Sequence, residues 1–118
     1  MNKIKLYHFS NSDFKGYIRP SFFGLNSYSR HSKRLSGVKR SYFYLNRDSG
    51  IEYFLSGCRY LYVTSIDKSE LYDLESGNIT KFKDIYFTAK KLGYKGIISG
   101  NTAVLFYPIK IIKKELNN

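Results

Sequence analysis

The chain has 118 residues and a mass of 13.8 kDa, and its hydrophobic fraction of 42% suffices for one core and a single domain over residues 1–118. No apolar run reaches the roughly 18 residues that a membrane-crossing helix needs, and the single cysteine, Cys58, excludes both an intrachain disulfide and a cysteine-rich zinc site. The net charge of +11 is lopsided: residues 1–47 hold ten Lys/Arg against Asp13 alone, whereas residues 48–118 hold ten against eight acids, and such a field attracts polyanions and raises their encounter rate.

The opening residues turn polar again at His8, too soon for the apolar core of a secretory signal, so the expected compartment is the cytoplasm. Ile4-Lys5-Leu6-Tyr7-His8-Phe9 alternates with period 2 and predicts a first strand, ended by the turn and capping residues Ser10–Asp13. Residues 14–40 carry Gly16, Pro20, Gly24 and Gly37 without a sustained period, which predicts a loop with short helical or extended pieces. Ser41–Leu45 predicts a second strand, closed by the turn cluster Asn46–Gly50. Tyr60–Ile66 is the clearest strand in the chain, and Leu71–Leu74 a shorter one.

The period then changes. Phe82, Ile85, Ala89 and Leu92 fall on one helical face, with Asn78 or Thr80 available as cap and Gly93 where the helix would end. Gly96–Ser99 and Ala103–Tyr107 predict two strands around the turn Gly100-Asn101, with Ile109–Ile112 continuing along an edge and Glu115–Asn118 as a polar tail. Strands dominate with about two helices, an α+β domain. Most of the 12 Tyr and 9 Phe lie in strand-like runs and are expected in the core, leaving a few for a stacking surface.

Few residues carry obvious chemistry. The acids form no dense cluster, and neither His8 nor His31 has an acid at ligand spacing, so no metal site is expected. Neither nucleotide-binding glycine fingerprint is present. Arg59 beside Cys58 would favour a thiolate, although a lone cysteine is ordinarily inert filler. His8 differs, because at the end of a strand, with Ser10 two residues on, imidazole and hydroxyl together can grip a ribose.

Leu6-Tyr7-His8-Phe9-Ser10 resembles the opening strand of ADP-ribosyltransferases of the His-Tyr-Glu type, which reads Tyr-His-Gly-Thr or Tyr-His-x-Ser. Phe23-Gly24-Leu25-Asn26-Ser27-Tyr28-Ser29 is similar to the family's Gly-containing segment ending in Tyr-Ser or Tyr-Thr. Leu92–Ile98 and Ala103–Ile111 are similar to the ending of small ADP-ribosyltransferase-like domains, many of them phage-encoded. The motifs are short but come from both ends of the chain. The resemblance implies an α+β fold with a mainly antiparallel, split β-sheet core and one to three helices, NAD as cofactor, and a phage protein acting in a bacterial cytoplasm or carried in a virion. Carried over, His8 would bond the nicotinamide-side ribose with Ser10 in support, and Tyr28, followed by Ser29, would stack near the nicotinamide. Tyr42 or Tyr44 would supply a second ring, and Arg30 or Arg40 would meet the pyrophosphate.

The sequence departs from the family at the catalytic glutamate. That residue usually lies just before one of the last strands, where this chain has Ser99-Gly100-Asn101-Thr102-Ala103 without an acid. Glu52 is the alternative catalytic candidate and Asp73 a further one. The departure divides the expectation between a transferase acting on a host protein or nucleic acid and a catalytically degenerate copy of the fold. A third reading is a small, non-enzymatic basic module for nucleic acid or an acidic protein, such as a virion component or host-defence inhibitor. Its binding residues would be Arg30, Lys33, Arg34, Lys39 and Arg40, a basic run flanked by Tyr28 and Tyr42.

Overall fold

The alternation in the first strand is realised over Lys3–Ser10 (β1), which pairs antiparallel with Tyr60–Asp67 (β4) along its whole length, from Lys3 opposite Asp67 to Ser10 opposite Tyr60. The computed structural model describes residues 2–20, 40–74 and 82–117, without the side chains of residues 82–85. The remaining elements are β2 (Tyr17–Ile18), β3 (Ser41–Tyr44), α1 (Ile51–Leu55), β5 (Leu71–Asp73), α2 (Phe82–Lys91), β6 (Gly96–Ser99), β7 (Thr102–Leu105), β8 (Ile109–Lys110) and β9 (Lys113–Leu116). Short 3₁₀ turns at Arg47–Gly50 and Lys68–Glu70 lead into α1 and β5.

Seven strands form one sheet in the order β5-β6-β7-β3-β1-β4-β9, antiparallel except for the β5–β6 pair, and β2 pairs with β8 in a separate ribbon. The domain is α+β with a mostly antiparallel sheet and two helices among the described residues. Within the large sheet one junction is thin. β1 meets β3 at the single register position Tyr7 opposite Tyr44, whereas its other edge is fully laddered to β4.

Because side chains alternate between faces, the sheet has two differently covered surfaces. One carries Leu6, Phe43, Tyr62, Ile66, Ile98 and Leu105 and is covered by Ile18 and Ile109 of the β2–β8 ribbon. Burying an aliphatic or aromatic side chain of this size contributes about 1.5–3 kcal/mol. The opposite surface carries Ile97 and Val104 under Tyr86 and Ala89 of α2, and Phe9 under Tyr53 and Phe54 of α1.

Four expectations change. Leu92 is 63% exposed, and Tyr86 with Ala89 faces the sheet. The helix ends at Lys91, where Gly93 takes φ 89° while Tyr94 N–H and Gly93 N–H return to the carbonyls of Ala89 and Lys90, a Schellman cap that turns Leu92 outward. α1 forms where only the preceding turn was expected. Ile109–Lys110 leaves the large sheet after Pro108 to pair with β2, and the tail from Lys113 forms the end strand β9 instead. The expected caps Asn78 and Thr80 lie outside the described residues.

Candidate functional site

His8 shares its sheet face with Leu6, and its imidazole stands among three rings. The centroid distances are 5.2 Å to Phe43, 5.8 Å to Phe14 and 6.3 Å to Tyr62. Its Nδ1 lies 2.6 Å from the carbonyl oxygen of Tyr42. A carbonyl only accepts, so Nδ1 carries the proton and Nε2 of the neutral ring is left as an acceptor. Burial holds the His8 pKa below its ordinary value, opposed in part by the bond to Tyr42. The ring is therefore neutral at pH 7, although the residue retains some exposure.

The bond to Tyr42 falls where β1 and β3 separate. With Tyr7 opposite Tyr44, antiparallel progression brings the Ser10 end of β1 toward the Ser41 end of β3. Ser41 belongs by alternation to the face of Phe43, and therefore of His8. Its hydroxyl is buried and has no hydrogen-bond partner among the described residues. Ser10, on the same face of β1, uses its hydroxyl to accept from Ser12 N–H at 3.0 Å. Sequence reasoning passed over Ser41, which reads as an ordinary residue at the start of an aromatic strand.

The adjoining chain is fixed by Tyr62. Its phenol donates to Ser12 C=O at 2.5 Å and accepts from Phe14 N–H at 2.8 Å. Asp13, between those two residues, is held by Lys114 and by Lys15, the latter at 3.1 Å. Those lysines keep its carboxyl below the usual carboxylate range.

The other candidates stand elsewhere. Arg40 and Tyr42 project from the opposite face of β3, where Arg40 Nε donates to the Tyr42 hydroxyl at 3.2 Å and the guanidinium carbon lies 5.5 Å from the Tyr42 ring centre. Arg40 is buried there. Glu52 is exposed on α1, which packs on Phe9 and hence on the face away from His8. Its charge acts on Tyr44, whose phenol is pushed up by burial, by its bond to Tyr53 at 3.3 Å and by Glu52. Asp73 is exposed at the end of β5, the strand at the far edge of the sheet. The structure thus brings His8, Ser10 and Ser41 to one face and does not bring Glu52 or Asp73 to them. Tyr28, Ser29, Arg30, Lys33, Arg34 and Lys39 lie outside the described residues.

Burial pushes the Cys58 thiol up rather than down, opposed in part by hydrogen bonds with the backbone of Tyr60, whose carbonyl lies 3.8 Å from the sulfur, and of Arg59. Among the described residues no group of three or more His, Cys, Asp or Glu could hold a metal ion, and no helix is long and apolar enough to cross a membrane. One cavity of about 180 Å³ is lined by Glu70, Lys95, Tyr107 and Lys110 among others. Another of about 280 Å³ is lined by Ile4, Lys5, Leu45, Lys68 and Ile98. Neither includes His8. No protein-family model, curated protein or solved structure matches the chain.

Proposed function

We propose that the chain is an ADP-ribosyltransferase-like domain that binds the ribose of NAD at the His8 end of the β1–β3 junction, as a catalytically degenerate copy of that fold. The observation that carries this reading is the pair of polar groups left over there: the acceptor Nε2 of His8 and the buried, unpartnered hydroxyl of Ser41. A sugar hydroxyl can donate to Nε2, whereas the Ser41 hydroxyl on the same face is closed to solvent. The mostly antiparallel α+β architecture is compatible with the coarse class that the resemblance implies, with seven strands in one continuous sheet whose β1–β3 junction is thin.

Transfer of ADP-ribose needs a carboxylate beside the anomeric carbon as positive charge develops there. Among the described residues none makes a hydrogen bond or ion pair with His8, and Glu52 stands on the opposite face. This favours binding over transfer. Isothermal titration calorimetry with NAD tests the reading. Wild type should give heat that His8→Ala abolishes and Glu52→Gln leaves intact, and no heat from folded wild type would overturn it.

A second reading, a basic module for nucleic acid or an acidic partner, is favoured by the surface charges. Asp13, Glu70 and Glu115 are each engaged by Lys or Arg. Lys5, Arg19, Lys68 and Lys110 are exposed and make no ion pair among the described residues. Both functions fit one chain, because Lys5 lies on the face of β1 away from His8 and Lys68 stands near the start of that strand, its N–H bonded to the Asn2 carbonyl.

A further inference from the structure

The cavity of about 180 Å³ lies between the last residues of β4, the starts of β5 and β6, and the Tyr107-Pro108 turn into β8. Its apolar wall is Ile66, Leu105 and Ile109, which also belong to the main core and are at most 9% exposed. Its polar rim is Glu70, Lys95, Tyr107 and Lys110. Backbone bonds fix part of that rim: Lys95 N–H donates to the Glu70 carbonyl at 2.8 Å, and Phe106 N–H to the Lys95 carbonyl at 2.9 Å. An apolar wall with a few polar groups at its mouth is the arrangement of a small-molecule site. The rim charges do not cancel. Lys95 Nζ pairs with Glu70 Oε1 at 3.1 Å, so those two are neutral together. Lys110 is exposed and has no ion-pair partner among the described residues. Tyr107 is 42% exposed, and its phenol makes no hydrogen bond among them.

We propose that this cavity binds a small monocarboxylate with a compact apolar body, the body against Ile66, Leu105 and Ile109 and the carboxylate toward Lys110 and Tyr107. An ammonium and a phenol both donate, and a carboxylate only accepts, so the donors left over at the rim match it. The single uncompensated charge of Lys110 calls for one negative charge, and Glu70 beside it repels a second. The volume is below the roughly 300–1,000 Å³ of pockets for drug-sized ligands, which limits the apolar body to about one ring or a short branched chain. The site includes neither His8 nor the cations Lys5 and Lys68, so it stands apart from both functional readings above.

NMR titration of the full chain with benzoate at constant ionic strength tests this. Benzoate gives saturable shifts at the amides of Lys95, Leu105 and Lys110. Benzamide keeps the ring without the charge, acetate keeps the charge without the ring, and each binds about ten-fold more weakly or worse. Lys110→Gln weakens benzoate about ten-fold, the loss of one charge-assisted hydrogen bond. Glu70→Gln removes the negative charge of the rim and tightens benzoate. Neither substitution threatens the fold, because Lys110 has no ion-pair partner to lose and a partly exposed pair such as Glu70 with Lys95 contributes little to stability. Absence of saturation, equal affinity for benzamide or acetate, benzoate affinity unchanged by Lys110→Gln, or affinity reduced by Glu70→Gln overturns the proposal.

Discussion

The imidazole of His8 bonds through Nδ1 to the carbonyl of Tyr42 at 2.6 Å, so a side chain of β1 takes the place of a backbone donor where β1 and β3 part. The bond fixes the tautomer, and packing against Phe14, Phe43 and Tyr62 keeps the ring uncharged.

That neutral ring makes stability pH-dependent in a defined direction. The folded pKa of His8 lies below its ordinary 6.5, so on acidification the unfolded chain takes up the proton first. Stability is unaffected by this group above about pH 6.5 and falls as pH drops through 6.5 toward the folded value. Thermal unfolding from pH 8 to pH 5 should show the wild-type midpoint declining below pH 6.5, and His8→Gln should decline less over the same interval. Parallel curves for the two proteins would refute the assignment.

Tyr62→Phe removes a buried phenol that satisfies two backbone groups, Ser12 C=O and Phe14 N–H. Leaving such groups unpaired costs about 1–3 kcal/mol. Urea unfolding should register a loss of that size, and hydrogen exchange at the Phe14 amide should accelerate beyond what global destabilisation explains. Because Phe14 packs on the imidazole, the same variant should also weaken NAD binding.

The regular elements were legible where local pattern and tertiary environment agree. β1, β3, β4 and β6 carry runs of β-branched and aromatic residues, and α2 combines helical spacing with a terminal glycine. β9 was not legible, because Lys113-Lys114-Glu115 has no apolar alternation, and charge is what an edge strand tolerates. α1 escaped notice because five residues are too few to display a helical period, and its stability comes from packing on Phe9. At the site, His8 stood out by its place at the end of the first strand, with Ser10 two residues on. Its separation from Glu52 did not, since the face each occupies depends on how the chain crosses the sheet between residues 10 and 51.

Gly50→Ala tests the packing that holds α1 on the sheet. A Cβ at Gly50 would sit 2.2 Å from Cε2 of Phe9 and 2.9 Å from Cδ2 of Tyr44. Phe9 is itself wedged between Tyr44 and Phe54, at centroid distances of 6.2 and 5.1 Å, and has little room to yield. Overpacking of this kind costs about 1–3 kcal/mol. Chemical denaturation should show that loss. The binding reading also requires NAD affinity to survive the substitution under conditions where the variant is folded, because α1 lies on the face away from His8.

The surface cations give the last prediction. Lys5 and Lys68 line one cavity and lie near the start of β1, where Lys68 N–H bonds the Asn2 carbonyl at 2.9 Å. Phosphates bound there would release counterions, and the logarithm of affinity for duplex DNA falls against the logarithm of salt concentration with a slope of about −0.9 per phosphate neutralised. Fluorescence anisotropy with a labelled duplex should give a steep slope for wild type, and Lys5→Glu/Lys68→Glu should reduce it by about 1 to 2. If only substitutions at Arg30, Lys33, Arg34 and Lys39 alter the slope, the polyanion lies along the basic run instead. A wild-type affinity indifferent to salt removes the polyanion reading altogether, while NAD binding at His8, which needs no array of phosphate contacts, would be untouched.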